Sequence, residues 1–264
     1  MATNEQVYRF DDGEAYDRYM GAWSREACPV FLAWVGAPPG AAWLDVGCGT
    51  GVLTETIIAS QSPASIEAID PSEAQVETAR ARFASATTRF QVADACALPF
   101  ADGSFDIVAS ALVVNFIPDR PKALAEMRRV LRKDGGVAGF VWDFAAERAP
   151  GGPVRRALMA AGETVATVPG SADSPIGRFA RLFSDAGFAD VETWAFDVER
   201  RFESFDSYWT LQTGRFSPSS AIVRKMAPEA VARTKEFLRA ELAIEAEGTV
   251  VCTARANAVK AKKP

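Results

Sequence analysis

A glycine-rich run at residues 42–51 has the residue types and the spacing to bind a ligand. Residues 42–46 are predicted to form a short apolar strand that carries one carboxylate, Asp45, near its end. Three glycines then stand at alternate positions: Gly47, Gly49 and Gly51. Glycine adopts positive φ readily and has no Cβ to hold a ligand away. A helix is predicted from Val52, and the amides at its start offer hydrogen-bond donors to a negative group.

The spacing of these glycines distinguishes two classes of ligand. A dinucleotide-binding loop has the pattern G-x-G-x-x-G, whose third glycine lets the helix pack closely on the strand. Counted from Gly47, that third position is Val52 in this chain. Asp45 would add like charge beside a pyrophosphate, whereas it suits a ligand with a cation or an amino group. The loop therefore favours a ligand that carries a cation or an amino group over a dinucleotide. The alternative is a glycine-rich turn that binds no ligand.

Two further carboxylates stand where predicted strands end. The strands predicted at 66–69 and 89–92 are followed by Asp70 and Asp94, respectively. In an open α/β sheet, ligands bind outside the carboxyl ends of the strands. Asp70 can accept hydrogen bonds from both hydroxyls of a ribose, and Asp94 can accept one from an adenine amino group. The alternative is that each is a helix cap or a surface acid.

The elements that must position these residues alternate between strand and helix from 42 to 142, which predicts a doubly wound α/β fold with a parallel sheet. The glycine pair at 135–136 is expected to end a helix that begins near Asp119. After residue 143 the pattern predicts a helix over 154–168, a strand at 191–202 and a long helix that ends near Gly248. A last strand is expected at 249–259, followed by a basic, solvated chain end.

Three blocks of sequence resemble a known family. The run L-D-V-G-C-G-T-G at residues 44–51 closely resembles the first motif of class I S-adenosylmethionine (SAM) methyltransferases. Residues 94–106 and 127–136 resemble the second and third blocks of the group that includes ubiquinone and menaquinone biosynthesis enzymes. The resemblance implies a Rossmann-like, seven-stranded and mostly parallel sheet with a helical cap built from insertions. It also implies a methyltransferase that uses SAM and releases S-adenosylhomocysteine.

The resemblance assigns cofactor-binding roles by position. Residues around the methionine part of SAM would be Asp45, Gly47, Gly49 and Gly51. Residues at the ribose and adenine would be Asp70, Pro71, Asp94 and Ala95, with Val113 beside the sulfonium. Tyr16 and Arg25 would close over the ligand from an N-terminal segment. Many relatives carry histidine just after the fourth strand, whereas this chain has Asn115-Phe116, so a role for that histidine does not transfer.

We expect three regions: an N-terminal helical segment at 1–40 that covers the cofactor, a SAM-binding core at 41–142, and a C-terminal half at 143–264. The acceptor is expected under insertions at about 143–185 and 203–247. Aromatic residues in these insertions suit a hydrophobic or aromatic small molecule, or form the cap core: Phe179, Phe205, Tyr208, Trp209 and Phe216. Methyl transfer needs mainly alignment, and a base only where the acceptor must lose a proton early. Asp143 and Tyr208 are weak candidates for that base.

Composition limits the remaining functions. The 264 residues include 29 Lys and Arg against 34 Asp and Glu, a net charge of −5, which argues against nucleic-acid or anionic-membrane partners. No histidine is present, which excludes imidazole catalysis and histidine-ligated metals, and no metal site is expected. No apolar run approaches the ~20 residues that a membrane-spanning helix needs, so no membrane-spanning segment is expected. The four cysteines form no C-x-x-C pair, and a core of this size needs no disulfide framework, so a reducing compartment, the cytoplasm, is expected. A monomer or homodimer is also expected. An NAD-linked oxidoreductase and a non-catalytic SAM-fold interaction module remain as alternative functions.

Overall fold

A central sheet in the order β3-β2-β1-β4-β5-β8-β6 organises the chain, and the computed structural model describes residues 17–214, 217 and 219–264. The strands are β1 (Ala42–Val46), β2 (Ser65–Asp70), β3 (Thr88–Val92), β4 (Phe105–Ala111), β5 (Leu131–Trp142), β6 (Ala189–Phe202), β7 (Ala243–Ile244) and β8 (Val250–Lys262). Strands β1 to β5 pair in parallel, and β8 is antiparallel to both β5 and β6. The two-residue β7 pairs with β8 off this path. The predicted mostly parallel, doubly wound sheet is confirmed.

Helices cover both faces of the sheet. They are α1 (Ala22–Val35), α2 (Val52–Ser60), α3 (Glu73–Phe83), α4 (Arg120–Val130), α5 (Gly152–Ala160), α6 (Ile176–Asp185), α7 (Phe205–Thr213), α8 (Ser220–Val223) and α9 (Pro228–Glu241). One turn of π-helix, Asp17–Gly21, precedes α1. None of the helices in the described part of the chain is both long and apolar enough to cross a membrane.

Each face of the sheet has its own apolar core. On one face Phe31 of α1 packs on Phe140 of β5, with ring centroids 4.8 Å apart. On the other face Met127 of α4 and Phe183 of α6 are buried in a separate cluster. Each fully buried large apolar side chain stabilises the fold by about 1.5–3 kcal/mol. The two cores hold the strands in register, so that the loops after β1, β2, β3 and β4 meet at the carboxyl edge.

Three expected boundaries are wrong. Helix α4 ends at Val130, and the glycine pair at 135–136 lies inside β5. A Cβ on Gly135 would lie 2.9 Å from the Arg132 carbonyl oxygen, so this strand needs glycine for a close backbone approach. The helix expected over 154–168 ends at Ala160, shortly before Gly162 at φ +88°. The long helix ends at Glu241, and β7 follows.

The expected solvated end is also wrong, because the chain remains in the sheet as far as Lys262. Residues up to Lys262 form β8, which lies between β5 and β6. Lys260 donates to the Trp34 carbonyl oxygen at 3.1 Å, and Lys263 donates to that of Leu131 at 2.7 Å. The lysine charges obscured an alternating strand pattern, since β8 buries Ala254, Ala256 and Ala258.

Candidate functional site

A cavity of about 460 Å³ opens at the carboxyl edge of β1, β2, β3 and β4. This volume lies within the range of small-molecule sites. Predicted cofactor residues that line it are Gly47, Gly49, Asp70, Pro71, Asp94, Ala95 and Val113. They come from four connections spread over 67 positions of sequence, and the sheet brings them to one place.

Glycine is required at the first position of the loop because another segment approaches it. Gly47 has φ +78°, and a Cβ there would lie 2.5 Å from the side chain of Val113. The amides of Gly47 and Cys48 both donate to the Ile69 carbonyl oxygen at 2.8 Å. The loop after β1 is therefore fixed between the end of β2 and the segment after β4, and its backbone faces the cavity.

Asp70 presents a fixed carboxylate to the cavity. It accepts hydrogen bonds from the amides of Gly49, at 3.0 Å, and Ser72, at 2.9 Å. Burial raises the pKa of this carboxyl, while the two backbone hydrogen bonds oppose that shift. Each carboxylate oxygen can accept more than one hydrogen bond. Asp70 thus has the position and the acceptor capacity to bind a diol.

The neighbouring wall combines one exposed carboxylate with apolar surface. Asp94 is exposed, and its Oδ1 accepts from the Cys96 amide at 2.8 Å. Ala95 and Ile117 supply apolar surface to the same cavity wall. A flat heteroaromatic ring with an exocyclic amino group matches this wall, because the ring meets apolar atoms and the amino group meets a carboxylate.

Two of the expected cofactor residues are not among those that line the cavity. Asp45 is completely buried behind the loop, where its Oδ2 accepts from Thr54 Oγ1 at 2.7 Å. Burial raises the pKa of Asp45 to about 7. Gly51 also lies away from the cavity wall, since a Cβ there would lie 2.8 Å from the Phe83 ring of α3. Both residues support the loop from behind.

The contribution of the N-terminal segment differs from the expectation. Tyr16 lies outside the described residues. Arg25 is exposed on α1 and does not line the cavity, whereas Ser24 and Cys28 do. Their spacing of four residues places them on one helical face, and that spacing was the available signal. Gln75 was also missed, although it lies in the first helical turn after Asp70.

The residues proposed for acceptor chemistry are not at this cavity either. Asp143 Oδ1 accepts from the Ala146 amide at 3.3 Å in the turn after β5. Tyr208 is completely buried, and burial raises the pKa of its hydroxyl well above the usual value, which makes it a poor base. Phe179 packs on Phe183 on the opposite face, with centroids 5.4 Å apart.

The other expected acceptor-site rings serve packing or lie outside the description. Phe205, Tyr208 and Trp209 belong to the apolar core beside α1. Phe216 lies outside the described residues. In the part of the chain that the structure describes, the cavity wall comes from residues 24–118, so the insertions contribute none of it.

The cavity fits a nucleoside that carries an amino acid. Asp70 offers acceptors for a diol, and Asp94 offers a carboxylate on the same cavity wall as apolar side chains. Thr50 lines the same cavity, and its buried hydroxyl has no hydrogen-bond partner within the described residues. A buried polar atom without a partner is costly, and a polar ligand group would satisfy it. The residues present therefore match the chemistry of SAM.

Comparison with known proteins agrees with this geometry. Residues 44–138 match the methyltransferase domain family. An uncharacterized Mycobacterium tuberculosis protein is 38% identical over 116 residues, which cover 43% of this chain and 42% of that protein. The ubiquinone/menaquinone biosynthesis C-methyltransferase UbiE of Geotalea uraniireducens is 42% identical over 98 residues, 35% of this chain and 41% of that protein. The alignments thus span less than half the length of either relative.

A longer match and two solved structures extend the comparison. Demethylmenaquinone methyltransferase of Staphylococcus aureus (strain Newman) is 35% identical over 144 residues, 52% of this chain and 60% of that protein. The Bacillus subtilis YcgJ structure has a TM-score of 0.59 at 18% identity, with 90% of this chain and 97% of that chain covered. The second structure is Haemonchus contortus phosphoethanolamine N-methyltransferase 2 in complex with S-adenosylhomocysteine and phosphomonomethylethanolamine. It has a TM-score of 0.59 at 16% identity, with 100% of this chain and 61% of that chain covered.

At 18% and 16% identity, the two solved structures show the fold alone. The methyltransferase match rests on the sequence comparison over residues 44–138. The matched residues 44–138 contain the glycine loop, Asp70, Asp94 and the segment after β4. The resemblance drawn from the three sequence blocks is thereby confirmed. Over residues 44–138 this chain therefore contains a region that matches the methyltransferase domain family.

Proposed function

We propose that this chain binds SAM in the cavity and transfers its methyl group to a hydrophobic or aromatic small molecule. The observation that carries the proposal is the Asp70 carboxylate, held at the cavity wall by two backbone amides. Two of the relatives are named as methyltransferases of quinone biosynthesis, which supports a small-molecule acceptor. We also propose a cytoplasmic location, in keeping with four free cysteines.

The proposed site residues divide by the part of SAM that they would hold. Asp70 with Pro71 would bind the ribose, and Asp94 with Ala95 would bind adenine. The backbone of Gly47 and Gly49 and the Thr50 hydroxyl would face the amino-acid part. Val113 would lie beside the sulfonium, which supplies an electrophilic methyl group and departs as a neutral thioether. The proposed division of the chain is a cofactor core at 41–142 flanked by covering segments at 1–40 and 143–264.

Catalysis by alignment suits the groups on this wall. Within the described residues, the titratable groups that line the cavity are Asp70, Asp94, Cys28 and Cys48. The two aspartates are assigned to the cofactor, and burial raises the pKa of both thiols, which keeps them protonated. Holding nucleophile, methyl carbon and sulfur in line supplies much of the acceleration such a transfer needs.

Calorimetric titration with SAM, S-adenosylhomocysteine and NAD tests the cofactor. We expect Asp70→Asn to weaken binding of both SAM and S-adenosylhomocysteine by about 10-fold or more, because hydrogen bonds to a charged group contribute about 1.5–3 kcal/mol. Asparagine keeps the size of the side chain and one acceptor oxygen, so the loop is disturbed less than by alanine.

Glu67→Gln is the matched control, since Glu67 lies on the same strand but pairs with Arg89 at 2.9 Å away from the cavity. This control should bind both nucleosides as the unaltered protein does. Undiminished binding by Asp70→Asn would remove the ribose assignment. Saturable NAD binding without SAM binding would replace the proposal with the oxidoreductase. SAM binding without turnover across a broad acceptor panel would favour a non-catalytic interaction module.

A further inference from the structure

A single aromatic ring lies in the described wall of the cofactor cavity. Phe116 is the only aromatic residue among the described residues that line it. The wall contains the carboxylates of Asp70 and Asp94 but no lysine or arginine within the described part of the chain. The cavity therefore favours a positively charged ligand, and the face of an aromatic ring attracts such a charge.

The backbone places Phe116 on the same side of its segment as Val113. The segment after β4 forms one turn of 3₁₀-helix, Val114–Phe116, and the Phe116 amide donates to the Val113 carbonyl oxygen at 2.7 Å. Side chains three residues apart eclipse each other in such a turn. Both side chains are half-buried and line the cavity, whereas Val114 and Asn115 between them are buried and do not line it.

Val113 in turn lies against the glycine loop, since a Cβ on Gly47 would lie 2.5 Å from its side chain. In the proposed function, the backbone of Gly47 and Gly49 faces the amino-acid part of SAM, and Asp70 binds its ribose. The sulfur atom joins these two parts and would therefore lie between them, beside Val113. At a rise of about 2.0 Å per residue, Phe116 lies about 6 Å further along the turn, and a cation–π contact reaches about 6 Å from the ring centroid. The ring is therefore within reach of the sulfonium.

The backbone on both sides of Phe116 is fixed by Arg120. Its Nη1 donates to the carbonyl oxygens of Ile117, at 3.0 Å, and Asn115, at 3.3 Å. Its Nη2 pairs with Asp173 at 2.9 Å, and both of these side chains are partly buried. Arg120 is thus a positioning residue for the Phe116 ring.

The insertion after β5 supplies further contacts to this turn. The Asn115 Nδ2 donates to the Pro169 carbonyl oxygen at 3.2 Å. Gly170 has φ +64°, and a Cβ there would overlap the Asn115 carbonyl oxygen, so the loop packs directly on the turn. The Phe116 and Phe144 rings meet edge to face, with centroids 6.4 Å apart. A ring that is already held in place binds a ligand without a further cost of ordering it.

We propose that the Phe116 ring stabilises the sulfonium of SAM by a cation–π interaction, and that Arg120 positions the ring for this contact. This inference rests on the proposed function and adds a cofactor-contacting residue to it. The sulfur is positively charged in SAM and neutral in S-adenosylhomocysteine, so the ring contributes to binding of the first ligand and little to that of the second. The site thereby distinguishes the cofactor from its product by charge, which favours exchange of the product for SAM.

The test is the ratio of the dissociation constant of S-adenosylhomocysteine to that of SAM, both measured by calorimetry. We expect Phe116→Leu to lower this ratio by about 3-fold to 30-fold, which corresponds to the loss of a cation–π contact. Leucine keeps apolar contact with the ligand, so the affinity for S-adenosylhomocysteine should change little. Phe116→Tyr keeps a ring and should retain the ratio of the unaltered protein.

A fluorinated ring separates charge from shape. Replacement of Phe116 by pentafluorophenylalanine keeps the ring but removes negative charge from its face, so the ratio should fall as it does in Phe116→Leu. Phe100→Leu is the matched control, because the half-buried Phe100 ring packs on Phe105 at 5.0 Å and does not line the cavity. This control should keep the ratio. Arg120→Met should lower the ratio in part, because the ring loses its backbone support.

The outcomes separate this inference from the proposed function. If both nucleosides bind and the ratio is unchanged in Phe116→Leu, the sulfonium contact is overturned while the proposed function stands. A fall in Phe116→Leu that the fluorinated ring does not reproduce would trace the ratio to shape and overturn the contact as well. An unchanged ratio in Arg120→Met would remove the positioning role. If the unaltered protein binds neither nucleoside, the proposed function fails, and the sulfonium contact fails with it.

Discussion

Asp45 shows how a motif residue can support a binding loop from behind the cavity wall. Its carboxylate lies behind the glycine loop, accepts from Thr54 and has one oxygen without a described partner. Burial dominates its environment and raises its pKa to about 7, while the Thr54 hydrogen bond opposes that shift. The acid therefore links β1 to α2 and shapes the loop that presents Gly47 and Gly49.

The raised pKa predicts how stability depends on pH. Because Asp45 binds its proton more tightly in the folded state than in the unfolded state, its contribution is full below about pH 4 and is lost as the pH rises through about 7. A shift of this size corresponds to a few kcal/mol, at about 1.4 kcal/mol per pKa unit. In urea titrations from pH 4 to 8, Asp45→Asn should remove that decline from the free energy of unfolding.

Asp185→Asn serves as the control for this experiment. Asp185 is exposed on α6 and lies 3.6 Å from Arg181, so its replacement should leave the pH dependence of the unaltered protein in place. If the free energy of unfolding of Asp45→Asn declines with pH as steeply as that of the unaltered protein, Asp45 ionises at its ordinary pKa in the folded state.

At the scale of elements, one arginine joins two of the sequence blocks. Arg129 of α4 donates to the carbonyl oxygens of Phe100, at 2.7 Å, and Leu98, at 3.0 Å. It also contacts the carboxylates of Asp102, at 2.8 Å, and Glu126, at 2.7 Å. The loop that follows Asp94 is thereby attached to α4, which explains why the blocks at 94–106 and 127–136 belong together physically.

Removal of this link should loosen the adenine side of the cavity. We expect Arg129→Ala to lower the free energy of unfolding by about 1–3 kcal/mol, because two backbone carbonyls and two carboxylates lose a charged donor. Chemical denaturation would measure the loss. Lys133→Ala, at an exposed position nearby, should change it by less than about 0.5 kcal/mol. Equal stability of the two variants would contradict this role.

The elements also show why sequence reasoning succeeded only in part. Buried strands that end in aspartate or glycine were predictable, as at Val46 and Asp70, because their apolar runs have sharp ends. The hydrogen bonds at the start of α3 were not predictable in this way, since the Ser72 side chain makes no cap hydrogen bond and Asp70 accepts from the Ser72 amide instead. Side-chain direction was not predictable for Asp45, because local spacing does not tell whether a carboxylate faces a loop or a core.

At the scale of the whole molecule, the position of β8 governs the integrity of the sheet. β8 pairs with β5 from Gly136 to Trp142 and with β6 over most of its length. A chain that stops after Arg255 would lose half of this strand and leave β5 and β6 with unpaired backbone groups. We expect this truncation to abolish cooperative thermal unfolding in circular dichroism, whereas removal of Pro264 alone should leave it unchanged. A cooperative transition in the shorter protein would contradict this view.

The same topology dictates an order of events during synthesis. Strands β1 to β5 emerge from the ribosome early and can associate as a parallel unit, yet β6 has no neighbour until residues 250–262 follow. Throughout that interval the nascent chain exposes one open side of β5 and the whole of β6, both of which can pair with other chains. Recovery of this protein from expression should therefore depend on chaperones that shield nascent strands, and slow translation between residues 202 and 250 should increase aggregation.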